Sequence, residues 1–423
     1  MRILETVHDF LPNHFAGSEI YTFHLSRELR NLGHEVHLLF TEKRPEREQF
    51  EVDSGEYEGL PYSEVIYNNQ YADIQDLYDD PRMDAPICEV LDAFLPDLVH
   101  IQSLVFFGLP LVRAAAARRI PMVMTAHEYF LVCPKGLLLN LDGDLCDPID
   151  FGQCARCLEP YPMQREKYRD REGDADRHLG GLRYFSRAAE VRKAAILAGV
   201  APIDRFVSPS RFLAERMVRE GLPAAKVKVV AHGFPRASVV QRPPRMLGDP
   251  LRFGFLGTLS EYKGVHLAVE AFSRLKPGEA TFRIHGETAW FPDYTRPLME
   301  RARQIEGLVF EGRLATDRTA EFLAELDVLV VPSTWYENSP LTIREAFGQG
   351  VPVIGTDLGG MAETLEEGGG LLFPRGDADG LHACMRRLLD EPDLLRSLRT
   401  SIPKVRPIRE NALELEALFQ SLV

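Results

Sequence analysis

Short apolar, β-branched runs alternate along the chain with longer stretches whose apolar residues recur at helical spacing. Residues 1–7 read as a strand, and 18–32 as a helix carrying Ile20, Phe23, Leu25, Leu29 and Leu32. Gly33 ends that helix and 36–40 is the next strand, so the chain opens on a strand–helix–strand unit. Its loop, 9–17, holds Pro12, Asn13 and Gly17. Residues 43–62 are polar and acidic and predict no element. The alternation resumes with a strand at 98–102, a helix at 110–118 and a strand at 121–126 that ends in His127-Glu128. A cysteine-containing insertion fills 133–157, and helical periodicity returns at 182–197. A strand at 206–208, a helix at 211–220 and a strand at 227–230 complete the first series.

Residues 233–250 lack periodicity and carry Pro235, Pro243, Pro244 and Pro250, which marks a linker. A second series starts with a strand at 251–256, followed by a helix (265–275), a strand (281–285), a helix (294–305), a strand (308–310) and a helix (316–326). It leads into the stretch around which the chain is organised. Residues 327–331 form an apolar run suited to burial on both faces. Ser339 is a good N-cap, and Pro340 suits the first helical position, where its missing N–H costs nothing. The expected helix, 340–347, stops at Gly348 or Gly350 before a strand at 352–356. The organisation is therefore α/β. Residues 1–232 and 251–400 form two doubly wound, Rossmann-like domains, and 401–423 carry a terminal amphipathic helix.

Composition narrows the function. A chain of 423 residues with a formal net charge of −14 lacks the basic surface that a nucleic-acid partner needs. No apolar stretch reaches membrane-spanning length, and the first residues go straight into a strand rather than a secretory leader. The expectation is a cytosolic chain, with room for peripheral membrane contact.

The chemistry concentrates in 328–354. Glu337 lies in the loop and Glu345 inside the following helix. Carboxylates beside the free N–H groups of a helix start suit a ligand with both hydroxyls and phosphate. Spacing alone leaves open that Glu345 is a solvated helix residue and Glu337 a loop charge. The full pattern is Glu337-x7-Glu345, then Ala-Phe-x-x-Gly-Val-Pro-Val-Ile, then Gly359-Gly360-x-x-Glu363. It resembles the signature of family 4 retaining glycosyltransferases, a glycogen-synthase and mannosyltransferase-like group with the GT-B fold. The run from Trp335 to Leu341 is similar to one branch of that family.

The resemblance implies two Rossmann-like domains facing a central cleft, with the last helix returning to the first domain. It implies transfer of a sugar from a UDP- or GDP-sugar to the hydroxyl of a glycan, lipid-linked or small-molecule acceptor, with retention and without a catalytic metal. In the family's terms Glu337 holds sugar hydroxyls, Glu345 the ribose diol, and Lys263 with the N–H groups of Leu341 and Thr342 the diphosphate. Asn338, Ser339 and Pro340 belong to the same turn. His127 orients sugar and acceptor, and Gly17 and Ser18 form the N-terminal glycine loop. Gly257 and Gly286 allow close approach of substrate, Arg313 and Leu314 flank the base, and Arg211 has a weaker claim on ligand. Thr258 departs from the family, which usually has Arg there as a second cation. Without the resemblance, His127 reads first as a structural or solvated strand-end histidine and Lys263 as a surface lysine on a capped turn, while Arg313 reads equally as a surface charge.

Cys133, Cys146, Cys154 and Cys157 cluster within the insertion, and the Cys154-x2-Cys157 pair suits a structural zinc site. The irregular outer spacings leave four reduced thiols packing a loop as the other reading. Two further functions compete on the same scaffold. One is a nucleotide-sugar epimerase, which needs an additional acid/base set around the sugar. The other is a non-catalytic sugar-nucleotide-binding chain, in whose favour only Thr258 speaks.

Overall fold

The computed structural model describes residues 1–158, 174–235, 240–241 and 248–423, with side chains from 181 onward in the helix that begins at 174. The chain divides into two compact units, Met1–Gly233 with Ile408–Val423, and Phe234–Pro407. Much of the expected linker, 233–250, lies outside the described residues.

The first unit holds an eight-stranded sheet: β1 (Arg2–Val7), β2 (Glu35–Glu42), β3 (Val52–Tyr57), β4 (Leu60–Ile66), β5 (Leu98–Ile101), β6 (Met122–Thr125), β7 (Arg205–Ser208) and β8 (Val227–Val229). Its strand order is β3-β4-β2-β1-β5-β6-β7-β8. Only the edge pair β3–β4 is antiparallel. Five of the six β1 residues are buried, as in a strand covered on both faces. The described helices of this unit are α1 (Gly17–Asn31), α2 (Asp84–Phe94), α3 (Gly108–Ala117), α4 (Phe151–Leu158), α5 (Asp174–Gly199) and α6 (Arg211–Arg219).

Residues 43–62, expected to be irregular, contribute β3 and the start of β4. The hairpin turns on Glu58 and Gly59, whose φ angles are 51° and 79°. β3 carries no fully buried residue, so it lacks the apolar pattern that would announce it.

The second unit holds a six-stranded parallel sheet: β9 (Leu251–Leu256), β10 (Ala280–His285), β11 (Leu308–Gly312), β12 (Val328–Val331), β13 (Val353–Thr356) and β14 (Gly370–Phe373). Its order is β11-β10-β9-β12-β13-β14. Its helices are α7 (Val265–Phe272), α8 (Pro292–Ala302), α9 (Thr319–Glu325), α10 (Leu341–Gly348), α11 (Gly359–Glu366), α12 (Ala378–Asp390) and α13 (Pro392–Thr400). Phe253, Phe282, Val328, Val330 and Ile354 form part of the core on one face, while Leu329, Ile343, Phe347 and Met361 pack the other. The last helix, α14 (Ile408–Gln420), belongs to the first unit. Its Ala412, Leu415 and Phe419 join Tyr21, Leu25 and Leu29 of α1 in one apolar cluster. The buried Tyr21 hydroxyl donates to Asn411 Oδ1 at 2.7 Å.

Each sheet reverses its order of strand connection at one point, β1/β5 in the first and β9/β12 in the second. Open α/β sheets bind ligands at the carboxyl ends of the strands beside such a reversal. This rule directs attention to the loops after β1, β5 and β6, and to those after β9 and β12.

Candidate active site

At the reversal in the second sheet, the segment after β9 meets the loop after β12. Thr334 N–H donates to Tyr262 O at 2.8 Å, which holds the two segments together. Gly264 has φ 72°, and a Cβ there would lie 1.9 Å from Pro332 O, so only glycine fits. The contact brings Lys263 Nζ to 2.6 Å from Glu337 Oε1. The same oxygen accepts from Ser333 Oγ at 2.8 Å and from Trp335 Nε1 at 2.9 Å. Lys263 Nζ also lies 5.3 Å from the Trp335 ring centroid. Oε2 of this buried carboxylate takes no hydrogen bond from the described residues. Glu337 is thus anchored through one oxygen and open through the other.

α10 begins at Leu341. Pro340 occupies the N-cap and no side chain caps the helix, so the structure corrects the expectation of Ser339 at that position. Proline has no capping oxygen, and the N–H groups of Leu341 and Thr342 are therefore left for another acceptor. One face further along, the half-buried Glu345 carboxyl makes no hydrogen bond or ion pair with the described residues, and burial pushes it up to about 7. Gly360 packs against the same loop. Its N–H donates to Glu337 O at 2.9 Å, and a Cβ there would lie 2.1 Å from Asn338 O. The Glu337–Asn338 backbone is packed directly against the start of α11.

The other strand ends are stitched in the same manner. Gly257 N–H donates to His285 O at 3.1 Å, and Gly286 N–H donates to Gly312 O at 3.0 Å. A Cβ on Gly286 would lie 2.3 Å from Gly257 O, so this glycine serves strand-end packing. Thr258 is half-buried in the turn before Lys263, Arg313 is exposed, and Leu314 packs partly against the α10 cluster. Arg375, which the sequence did not single out, donates from Nε to Thr334 O at 2.7 Å and braces the same loop from the end of β14.

In the first unit His127 follows β6. Its Nε2 lies 2.7 Å from Gln102 Oε1, at the end of β5. The Gln102 amide nitrogen donates to Glu5 Oε2 at 2.8 Å, and Glu5 Oε1 lies 2.9 Å from His100 Nδ1. A carboxylate can only accept, so the amide nitrogen faces Glu5 and the amide oxygen faces His127. The 2.7 Å contact therefore requires the proton on Nε2 and makes Nδ1 the acceptor atom. Burial holds His127 well below the ordinary histidine range, with His232, His100 and His8 acting in the same direction, so the ring is neutral. The rings of Tyr21 and His232 stack at 4.0 Å, and both flank His127 at 5.2 and 5.0 Å.

Gly17 is the first residue of α1 and Ser18 Oγ donates to Glu19 Oε2 at 2.7 Å. Gly17 is not among the glycines in the left-handed region, so the turn does not depend on it. Arg211 opens α6 at an exposed position, where Ser210 caps the helix. Asp142 pairs with Arg156, and Asp377 caps α12 by accepting from the N–H groups of Asp379 and Gly380, so these carboxylates serve a turn and a helix cap. Among the described residues, Lys263, Glu337, Ser339, Leu341, Thr342 and Glu345 gather at one strand edge and His127 stands at another. Gln102 and Glu5 about His127, and Ser333 and Trp335 about Glu337, escaped the sequence reading. A charged Glu5 inside an otherwise apolar strand was the available signal.

Two doubly wound sheets, each presenting polar groups beside its reversal point, define the GT-B class. Sucrose-phosphate synthase from Thermosynechococcus elongatus has the same fold, with a TM-score of 0.71 at 18% identity, covering 100% of this chain and 98% of that one. Anabaena HepE, solved with UDP and glucose, gives 0.68 at 15% identity with both chains fully covered. At these identities the likeness speaks for the fold alone. Within that class the chain belongs to Glycosyltransferase Family 4, whose sequence pattern matches residues 15–237, more than half of the chain. The pattern of Glycosyl transferases group 1 matches 250–391.

Among curated relatives, the colanic acid biosynthesis protein WcaL of Salmonella typhimurium is 30% identical over 188 residues, 43% of this chain and 46% of WcaL. A glycogen synthase of Mycobacterium tuberculosis is 32% identical over 176 residues, 40% of this chain and 41% of that protein. The amylovoran biosynthesis glycosyltransferase AmsK of Erwinia amylovora is 28% identical over 188 residues, 42% of this chain and 46% of AmsK. The matched stretch therefore spans less than half the length of each of these relatives. No helix among the described residues is long and apolar enough to cross a membrane.

Proposed function

We propose that this chain transfers a hexose from a nucleoside diphosphate sugar to an acceptor hydroxyl, with retention of configuration, in the synthesis of a polysaccharide or glycolipid. The observation that carries the reading is the pair of incompletely partnered carboxylates, Glu337 and Glu345, around an uncapped helix start with Lys263 beside it. Family membership supports it, and so do relatives named for colanic acid and amylovoran synthesis. The cytosol, where nucleotide sugars are made, is the compartment the reading implies.

In this mechanism the diphosphate sits at the N–H groups of Leu341 and Thr342, with Lys263 Nζ neutralising the departing charge. Glu337 keeps its oxygen Oε1 on Ser333 and Trp335 and offers Oε2 to sugar hydroxyls. Glu345 accepts from the ribose diol. On this reading no carboxylate serves as a nucleophile: the acceptor attacks on the face the diphosphate leaves, and a phosphate oxygen takes the acceptor proton. The reaction breaks the anomeric carbon–phosphate oxygen bond and forms an anomeric carbon–acceptor oxygen bond. Neutral His127, with Nδ1 as acceptor, orients a hydroxyl. Catalysis is then mainly electrostatic and positional.

The test is a panel of UDP-, GDP-, ADP- and dTDP-sugars read by thermal shift and by product formation with and without acceptor. The matching donor raises the melting temperature, because ligand that binds only the native state stabilises it. Transfer that requires acceptor supports the reading. Conversion of donor alone to an epimer overturns it, and binding without any turnover leaves the non-catalytic alternative.

A further inference from the structure

The insertion that follows His127 is built around its cysteines. Cys133 starts a tight turn in which Gly136 N–H donates to Cys133 O at 3.0 Å, with Gly136 at φ 69°. A short antiparallel bridge, Leu139 to Leu145, then delivers Cys146, whose N–H donates to Leu138 O at 2.8 Å. Cys154 and Cys157 lie one turn apart on α4 and therefore share a face. All four thiols are reduced, three are buried and Cys146 is half-buried. Each of the four sulfurs lies within electrostatic reach of the other three.

We propose that Cys133, Cys146, Cys154 and Cys157 bind one structural zinc ion that fixes the 133–157 insertion against the segment carrying His127. Four thiolates in a closed set are a structural zinc donor set. Four thiolates around one zinc dication leave a net charge of −2 at the site. Compensating groups are in place. Lys135 acts on Cys146 and Cys157, Arg216 on Cys146, and the Leu141 N–H points to the Cys157 sulfur. Arg216 also holds Cys146 O at 2.8 Å. Of the nearby carboxylates, Asp147 is paired with Arg216 and Arg219 at 3.0 and 2.9 Å, and Asp150 Oδ1 accepts from Gly152 N–H at 2.8 Å.

Zinc–sulfur bonds of about 2.3 Å set the sulfurs of a tetrahedral site roughly 3.8 Å apart. Among the described residues the set with all ligand atoms within 4.8 Å is His8, Asp9 and Glu19, so the cysteine sulfurs must draw together on binding. The link to His127 is short. Tyr129 N–H donates to Gly136 O at 3.1 Å and Cys133 N–H donates to Tyr129 O at 2.8 Å, so the cysteine turn is bonded to the residues that directly follow His127-Glu128.

Elemental analysis of the full chain, purified without chelator or a metal-binding tag, should find about one zinc per chain. The Cys154→Ser, Cys157→Ser double variant should carry none. Should that variant fail to fold, the wild-type chain reconstituted with cobalt(II) decides, since four thiolates give sulfur-to-cobalt charge-transfer bands and strong tetrahedral d–d absorption. A reduced chain with no zinc and no cobalt–thiolate absorption overturns the proposal. So does zinc retained in full by the double variant, which would place the ion elsewhere, at His8, Asp9 and Glu19 for example.

Discussion

His127 and Glu345 both stand near the carboxyl ends of parallel strands, and burial drives both away from charge: the imidazole well below its ordinary range, the carboxyl up to about 7. Their surroundings differ. His127 is the outer member of a chain of bonds running back through Gln102 to Glu5, and two rings flank it. Glu345 has no protein partner among the described residues, and its neighbour Glu337 is bonded through one oxygen only. The first unit presents a finished, neutral group in a fixed tautomer. The second presents carboxylates and helix N–H groups that a ligand with hydroxyls and phosphates would complete. An unmade bond at a buried carboxylate costs free energy, and a protein retains such a cost where ligand binding recovers it.

The sharpest break in this comparison comes from Glu337. Glu337→Ala should lower turnover at saturating donor by on the order of 10²-fold or more, as loss of one transition-state contact does, with nucleotide affinity nearly intact. Parallel loss of turnover and affinity would mean that Glu337 instead shapes the phosphate-side loop. Next is Gly360→Ala, which sets a methyl 2.1 Å from Asn338 O. Overpacking of this kind costs about 1–3 kcal/mol, so the melting temperature should fall and turnover with it. Gly348→Ala, where a Cβ meets nothing within 4 Å, is the control and should be neutral or slightly stabilising.

On the first-unit side, Gln102→Ala should change the proton position on His127, read from the ¹⁵N shifts of its ring. It should lower turnover by about tenfold, the weight of one hydrogen bond. An unchanged Nε2–H tautomer would separate His127 from the Glu5–Gln102 pair.

The sequence made the strands of both units legible where burial on two faces removed the alternation of polar residues, as in β9 and β12. β3 was hidden because an exposed edge strand with Asp53, Ser54 and Glu56 carries no apolar pattern. The Glu337–Glu345 spacing and Lys263 were legible because they lie on one strand–loop–helix unit and the turn facing it. The bond between Gln102 and His127 was not, since the two are 25 residues apart and meet only because β5 pairs with β6 in parallel register. Side-chain networks that depend on strand order are invisible to local spacing.

His127 and Glu345 also titrate with opposite sign. Between about 4.5 and about 7 the folded chain keeps a proton on Glu345 that the unfolded chain has lost, so this residue lowers stability as pH rises through that window. Glu128, also held up at about 7, acts likewise. His127 stays neutral while the unfolded ring protonates below about 6.5, so it lowers stability as pH falls. Glu345→Gln should flatten the loss on the alkaline side of the window, by melting temperature against pH.

Ribose hydroxyls that donate to Glu345 need it ionised, so nucleotide binding near pH 7 should expel a proton. The direct test is calorimetric titration of the matching nucleoside diphosphate near pH 7 in buffers of different ionisation enthalpy. The account predicts net release of a fraction of a proton, abolished in Glu345→Gln, and affinity weakened by about 1.5–3 kcal/mol in Glu345→Ala. Buffer-independent heats together with unchanged affinity in Glu345→Ala would contradict it and remove Glu345 from the nucleotide site.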